Sequence, residues 1–183
     1  MFIPNTYEMY WNTSASEFFD RMHTEYEKFW NADRKAKAVA LNLTPIEVSI
    51  LASIVDAEAL YDKEMPIIAG LYLNRLKKGI LLQADPTVIF ANNDFTVKRV
   101  TGKLLAVDSK YNTYKYKGLP PGPIMMPSIK AIDAVLNPQK NNYIYMAAKE
   151  DFSGYHNFAE TKAEHEINGR KYRAALNARK IFR

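Results

Sequence analysis

Glu58, within the segment LASIVDAEAL, is the residue that the sequence places best for proton exchange. On a helix it would lie beside Ile54 and Val55, near the C-terminal end. Apolar surroundings raise the pKa of a carboxyl and suit it to general acid catalysis. The alternative is a helix-end carboxylate paired with a Lys or Arg. Asp56 would point to another helix face, so these two residues do not predict the carboxylate pair of an ordinary glycosidase.

Three polar residues, Gln83, Asp85 and Thr87, alternate around Pro86 in the segment LLQADPTVIF. On an extended chain they share one face, a pattern typical of a site that grips hydroxyl or acetamido groups. The alternative is a polar strand face that is simply exposed to water.

A second polar and aromatic group follows in YNTYKYKGLPPGPI. Tyr111 and Tyr114 offer rings on which sugars could stack, and Asn112 and Thr113 between them offer hydrogen bonds. The loop 118–123 is rigid because of its Pro residues, and rigid loops either position a site or turn a corner. Together the two groups predict the wall of a cleft for a polar substrate.

Other chemistries lack their motifs. His23, His156 and His165 lie far apart and form no HExxH pair, which disfavours a zinc hydrolase. The sequence has no G-x-S-x-G elbow, no Walker loop, no G-x-G-x-x-G and no cysteine. We therefore expect no metal ion and no organic cofactor, because a proton shuttle on one carboxyl needs neither.

Capping signals predict the helices that position these residues. Ser14 with Glu17 opens a first helix, whose apolar residues at helical spacing favour a core-facing stripe: Phe18, Phe19, Met22, Tyr26, Phe29 and Trp30. Thr44 with Glu47 opens a mostly buried helix that carries Glu58. A third helix is predicted over about 63–78, ended by Gly79.

The C-terminal half mixes strands, loops and helices. The sequence predicts a broken strand over 81–90, a short helix from Ser128 to Leu136, a strand over 143–148 and a hairpin return after Gly154. Thr161 with Glu164 caps a last helix to about residue 180. We therefore predict an α+β fold, with several helices around a small, mostly antiparallel sheet.

Length and composition are those of one folded domain of 183 residues with a net charge of +5. Several cations lie near the C-terminus, among them Arg170, Lys171 and Arg173. They favour a solvated helix face over a nucleic-acid interface, because no reader motif accompanies them. No apolar run reaches the ~20 residues of a membrane span. No signal peptide is visible, so any targeting segment would lie outside this chain.

The sequence resembles the endolytic murein transglycosylases of the YceG-like family. The resemblance rests on five segments: LASIVDAEA, IAGLYLNRLKKGILLQADPTVIF, YNTYKYKGLPPGPI, YIYMAAKEDFSGYHNF and the AEH at Glu164. They occur in family order and spacing, and the pair LQADPTV and GLPPGPI is highly specific. The resemblance implies one catalytic domain over residues 1–183 with a lysozyme-like catalytic helix.

The resemblance implies cleavage of the β-1,4 bond from N-acetylmuramic acid to N-acetylglucosamine within peptidoglycan strands. The C6 hydroxyl of the muramoyl residue attacks in place of water and leaves a 1,6-anhydro end. One residue then serves as acid and as base, which fits a lone carboxyl. The family's catalytic glutamate corresponds to Glu58. The expected substrate-binding residues are Gln83, Asp85, Thr87, Tyr111, Asn112, Thr113, Tyr114 and His156.

Some features depart from the family pattern. Asp56 stands where a longer acidic residue is usual, Ser128 where glycine is common, and Glu166 where asparagine is common. Family members usually carry a membrane helix and a LysM-like domain, and neither is in this chain. The resemblance also implies action at the outer face of the bacterial cytoplasmic membrane and a cell-wall synthase as a partner.

Two other functions remain open from the sequence. The chain could be a peptidoglycan-binding module without turnover, although Glu58 beside intact cleft motifs argues against it. It could also bind nucleic acid, but only the basic C-terminal helix supports that function.

Overall fold

A computed structural model describes residues 2–97, 100 and 102–180. This part of the chain forms eight α-helices, one short 3-10 turn and a two-stranded antiparallel sheet. The helices are α1 (Ala15–Phe29), α2 (Ala32–Ala40), α3 (Pro45–Glu58), α4 (Met65–Lys77), α5 (Asp85–Asn92), α6 (Gly102–Leu105), α7 (Ile129–Leu136) and α8 (Lys162–Ala178). The strands are β1 (Tyr145–Ala148) and β2 (His156–Ala159), and the 3-10 turn is Asp62–Glu64.

Helix α3 is the centre of the hydrophobic core. Its residues 48–55 are all buried, and it packs against α4 and α7. Tyr72 of α4 and Val135 of α7 are among the large side chains enclosed there. A helix that is apolar on nearly every side is stable only when other elements cover it. The α+β prediction is confirmed, and the core is formed chiefly between helices.

The capping signals are confirmed as helix starts. Complete capping boxes begin α1 at Ser14, α3 at Thr44 and α8 at Thr161. The Ser128 side chain caps α7, which ends at Leu136 as predicted. The third predicted helix is present as the 3-10 turn followed by α4.

The strand predicted over 81–90 is wrong. Residues 80–84 have no regular structure, and Asp85 begins α5 with Pro86 in its first turn. Proline is favoured there because helix N-termini leave N–H groups unpaired in any case. Gln83 has a φ of 53°, in the left-handed region, which turns the chain into the helix. Gln83, Asp85 and Thr87 therefore do not share an extended face.

The aromatic stripe of α1 is only partly in the core, which corrects a second prediction. Trp30 and Met22 are buried, but Phe19 is 60% exposed and Phe18 is 36% exposed. These two rings pack on Phe2 of the N-terminal segment, at centroid distances of 6.2 and 5.7 Å. Helix α2, which the sequence analysis did not predict, separates α1 from α3.

The predicted hairpin is confirmed. Strand β1 begins at Tyr145, two residues later than expected, and pairs with β2 in a register that sets Ala148 opposite His156. Gly154 in the connection has a φ of 82°, which glycine adopts without strain. Helix α8 packs on both strands.

In the part of the chain that the structure describes, no single helix has the length and apolar character of a membrane span. The pair α2 and α3, bent by 77°, meets that criterion only by length and composition.

Candidate active site

A cleft of about 630 Å³ opens where α3 ends, and the hairpin, α8 and the start of α5 surround it. Its walls carry five of the nine residues that the sequence predicts as catalytic or substrate-binding: Glu58, Gln83, Asp85, Tyr114 and His156. The cleft also contains His165, Tyr172 and Arg173 of α8. Residues far apart in the sequence thus meet at one surface.

Glu58 is the last residue of α3 and is partly buried in the cleft wall. The Tyr72 hydroxyl donates a hydrogen bond to its Oε1 at 2.9 Å. Burial raises the pKa of Glu58, the Tyr72 hydrogen bond lowers it and the negative charge of Asp85 raises it, which together place this pKa at about 7. The C-terminal end of a helix also disfavours an anion. Such a carboxyl can both donate and accept a proton near neutral pH.

The alternative for Glu58, a helix-end carboxylate in a salt bridge with a Lys or Arg, is not observed. Among the described residues, no Lys, Arg or His forms an ion pair with its carboxyl, whose one hydrogen bond comes from Tyr72. Asp56, two residues earlier, points away as predicted and accepts a hydrogen bond from the Ser128 backbone N–H at 2.7 Å. Asp56 therefore holds the start of α7 against α3.

Asp85, which the sequence predicts as a substrate-binding residue, gives the cleft a second carboxylate close enough to influence Glu58. Asp85 is the first residue of α5, where the helix dipole favours a negative charge. The Tyr114 hydroxyl donates a hydrogen bond to its Oδ1 at 2.5 Å. Burial and the bond to Asp85 raise the pKa of Tyr114, so its hydroxyl keeps its proton.

His156 is oriented by a buried carboxylate, Glu64 of the 3-10 turn. Glu64 Oε2 lies 3.0 Å from the His156 Nδ1, and its Oε1 accepts the backbone N–H of His156 at 2.9 Å. In the neutral imidazole, Nδ1 donating to Glu64 leaves the Nε2 atom as an acceptor. A histidine held this way has a defined tautomer and ring orientation.

Four of the predicted binding residues lie behind the cleft wall. Thr87, Asn112 and Thr113 are at most 1% exposed, and Tyr111 packs on the ring of Phe90. The Thr113 Oγ1 accepts the Ala84 backbone N–H at 3.0 Å and lies 2.8 Å from the Thr87 Oγ1. Asn112 Oδ1 accepts the backbone N–H of Tyr114 at 3.0 Å. These side chains position the cleft residues rather than line the cleft.

The sequence analysis assigned no role to several residues that shape the cleft. Tyr72 and Glu64 lie 14 and 92 residues from their partners Glu58 and His156, and no local pattern links them. His165 was named in the AEH segment and among the three histidines, but with no role in the cleft. No group of three metal-ligating side chains exists in residues 2–97, 100 and 102–180.

Comparison with known proteins gives matches over most of the chain. The sequence model of the YceG-like family covers residues 1–171. A Bacillus subtilis (strain 168) protein named endolytic murein transglycosylase is 36% identical over 152 residues, which is 83% of this chain and 40% of that protein. A Streptococcus pneumoniae (strain ATCC BAA-255 / R6) protein with the same name is 29% identical over 172 residues, which is 90% of this chain and 30% of that protein.

A solved structure agrees with these relatives. A crystal structure of a YceG-like protein from Listeria monocytogenes superimposes with a TM-score of 0.76 at 33% identity, over 90% of this chain and 53% of that one. The chain spans less than half the length of the two curated relatives. Because the family model matches nearly all of its residues, the chain belongs to the YceG-like family.

Proposed function

We propose that this chain is the catalytic part of an endolytic murein transglycosylase, with Glu58 as its acid and base. The names of the relatives support the reaction class. The observation that carries the assignment of Glu58 is a carboxyl with a pKa of about 7 at the wall of a cleft. The substrate is the peptidoglycan strand, cleaved between N-acetylmuramic acid and N-acetylglucosamine.

The reaction needs two proton transfers at one carboxyl. Protonated Glu58 gives its proton to the glycosidic oxygen, and the bond from that oxygen to C1 of the muramoyl residue breaks. The C6 hydroxyl of the same sugar then bonds to C1, and its proton goes to the Glu58 carboxylate. No water is consumed, the product carries a 1,6-anhydro end, and Glu58 returns to its protonated form. A pKa near neutrality suits both steps.

Asp85 has a distinct part in this proposal. Burial is the main cause of the raised pKa of Glu58, and the Asp85 carboxylate, held by Tyr114, adds to it and so favours the protonated acid. Its negative charge also favours the positive charge that develops on the sugar ring in the transition state. We assign Gln83, Tyr114 and His156 to substrate contacts, and Thr87, Tyr111, Asn112 and Thr113 to positioning them.

Mass spectrometry of purified peptidoglycan tests the proposal. The chain should release fragments with 1,6-anhydro ends, Glu58→Gln should release none, and the exposed Glu160→Gln should match the unmutated chain. Folding of each variant is checked by its melting curve.

Two results would overturn the proposal. Reducing ends in place of anhydro ends would mean that water attacks, and Asp85 would then be the candidate that activates it. Binding of peptidoglycan without products from any variant would identify a binding module.

The setting of the activity follows from the substrate. Peptidoglycan lies outside the cytoplasmic membrane, so we propose action at its outer face, by a full-length protein anchored to the membrane. Nascent strands as substrate would bring the protein together with a cell-wall synthase. Co-purification of the full-length protein with its synthases from crosslinked cells tests this partner. Binding of nucleic acid that weakens steeply with salt would instead support the basic-helix alternative.

A further inference from the structure

A second cavity, of about 550 Å³, adjoins the candidate active site. The two cavities share Gln83, Tyr114, Met146 and His165 in their walls. The second one extends from these residues toward the buried faces of α4 and β1. A ligand that occupies the Glu58 cleft can therefore extend a side group into it.

The two cavities differ in charge. Glu58, Asp85 and one cation, Arg173, line the first, whereas the described lining of the second includes no Asp or Glu. Its charged residues are Arg75 and Lys162. An anionic group would be repelled by the Asp85 carboxylate of the first cavity and attracted by the cations of the second.

Arg75 is a buried cation without an anionic partner in the described part of the chain. It is 6% exposed, and its Nε and Nη1 donate to the carbonyls of residues 144, 81 and 82 and to the Gln83 side chain. All of these acceptors are neutral. A guanidinium has five N–H donors, and no described residue accepts a hydrogen bond from those of Nη2. A buried cation that lacks an anion is costly, and a bound carboxylate would offset that cost.

His165 adds an unpaired polar atom at the junction of the two cavities. Its Nδ1 is buried without a hydrogen-bond partner among the described residues, and its ring stacks on Tyr145 at 5.1 Å. Burial lowers the pKa of His165, and the positive charges of Arg75 and Arg173 lower it further. The field of Arg75 thus reaches the place where a ligand would pass from one cavity to the other.

We propose that the second cavity binds a carboxylate on the lactyl arm of a muramoyl residue, while Glu58 acts on the neighbouring glycosidic bond. This inference rests on the proposed function. The lactyl group is the anionic feature that distinguishes muramic acid from glucosamine. Its carboxylate is free in denuded strands, whereas in strands with stem peptides the carboxylates belong to the peptide. Arginine suits either source because its planar donors match a carboxylate.

The test measures binding to the Glu58→Gln protein, which leaves the ligands intact. Calorimetry compares three tetrasaccharides of alternating N-acetylglucosamine and N-acetylmuramic acid: one with free lactyl carboxylates, one with these as methylamides, and one with stem peptides. Lys162→Ala removes an exposed cation of the cavity, which also pairs with Glu166 at 3.7 Å, without disturbing the core. Lys171→Ala removes an exposed cation of the same helix that does not line the cavity.

We expect Lys162→Ala to weaken binding of a carboxylate-bearing ligand roughly threefold to fivefold, the scale of a partly exposed ion pair. Lys162→Ala should leave the affinity for the methylamide ligand unchanged, and Lys171→Ala should leave the affinity for all three ligands unchanged. A loss of affinity confined to the free lactyl ligand identifies the lactyl carboxylate as the group bound in the second cavity. A loss confined to the peptide ligand identifies a stem-peptide carboxylate there.

Equal losses of affinity for all three ligands in Lys162→Ala, or no loss for any of them, would refute the proposal that the second cavity binds a carboxylate. The product assay separates this result from failure of the proposed function. Anhydro products without carboxylate discrimination would refute only the second site. Carboxylate discrimination without anhydro products would refute only the transglycosylase reaction.

Discussion

Replacing Glu58 by Gln should stabilise the protein, and the gain should grow with pH. In the folded state the pKa of Glu58 is about 7, whereas its ordinary value is 4.5. The folded protein therefore binds this proton more tightly than the unfolded chain does. This tighter proton binding adds to the free energy of unfolding. Its contribution is fully present below pH 4.5 and is lost as the pH rises through about 7.

The size of the effect follows from the shift. Each unit of pKa difference corresponds to about 1.4 kcal/mol, so the wild-type protein should lose about 3 kcal/mol between pH ~4 and pH ~8 relative to Glu58→Gln. Glutamine keeps an oxygen that can accept the Tyr72 hydroxyl and carries no charge to bury. The variant therefore escapes the loss, and the difference in unfolding free energy between the two proteins should widen over this range.

Urea unfolding of both proteins at several pH values measures the difference directly. Glu160→Gln is the matched control, because it makes the same chemical change at an exposed site, and only the pH dependence that Glu58→Gln shows beyond this control is attributed to Glu58. If the unfolding free energies of Glu58→Gln and the wild-type protein change in parallel with pH over the whole range, the argument that burial raises the pKa of Glu58 is refuted.

Three further predictions follow from particular contacts. Tyr72→Phe removes the hydrogen bond that lowers the pKa of Glu58, so the alkaline limb of the pH–rate profile should move upward by about one unit; an unmoved limb would contradict this. Thr113→Val leaves the buried Ala84 N–H unpaired and should cost about 1–3 kcal/mol in urea unfolding and raise KM; unchanged stability would contradict the positioning role. Gly154→Ala should cost about 1 kcal/mol in thermal unfolding, because its φ of 82° strains any residue with a Cβ and that Cβ would displace the Leu60 side chain; an unchanged melting temperature would show that the connection relaxes.

Much of the fold is readable from local sequence signals. The capping boxes at Ser14, Thr44 and Thr161 mark helix starts because their hydrogen bonds involve residues three positions apart. The hairpin around Gly154 is local in the same sense. The burial of helix α3 is predictable because a helix that is apolar on every side is stable only when other elements cover it.

The segment 81–90 was mispredicted for a physical reason. Its alternating polar residues match a strand, but tertiary hydrogen bonds decide its backbone. The Gln83 N–H donates to the Thr113 carbonyl at 3.1 Å, and Arg75 donates to the carbonyls of residues 81 and 82. These contacts hold the left-handed turn at Gln83 and let α5 begin at Asp85. Their partners lie up to about thirty residues away, so no local pattern reveals them.

Residue types at short or fixed spacing are enough to predict the starts of α1, α3, α7 and α8, the hairpin and the resemblance to the YceG-like family, which points to Glu58. The tertiary structure determines which of the predicted residues line the cleft. It also brought Asp85 beside Glu58, paired His156 with Glu64 and left the cation Arg75 without an anionic partner among the described residues. Burial, charge and pKa depend on distances between residues far apart along the chain, and those distances exist only once the chain has folded.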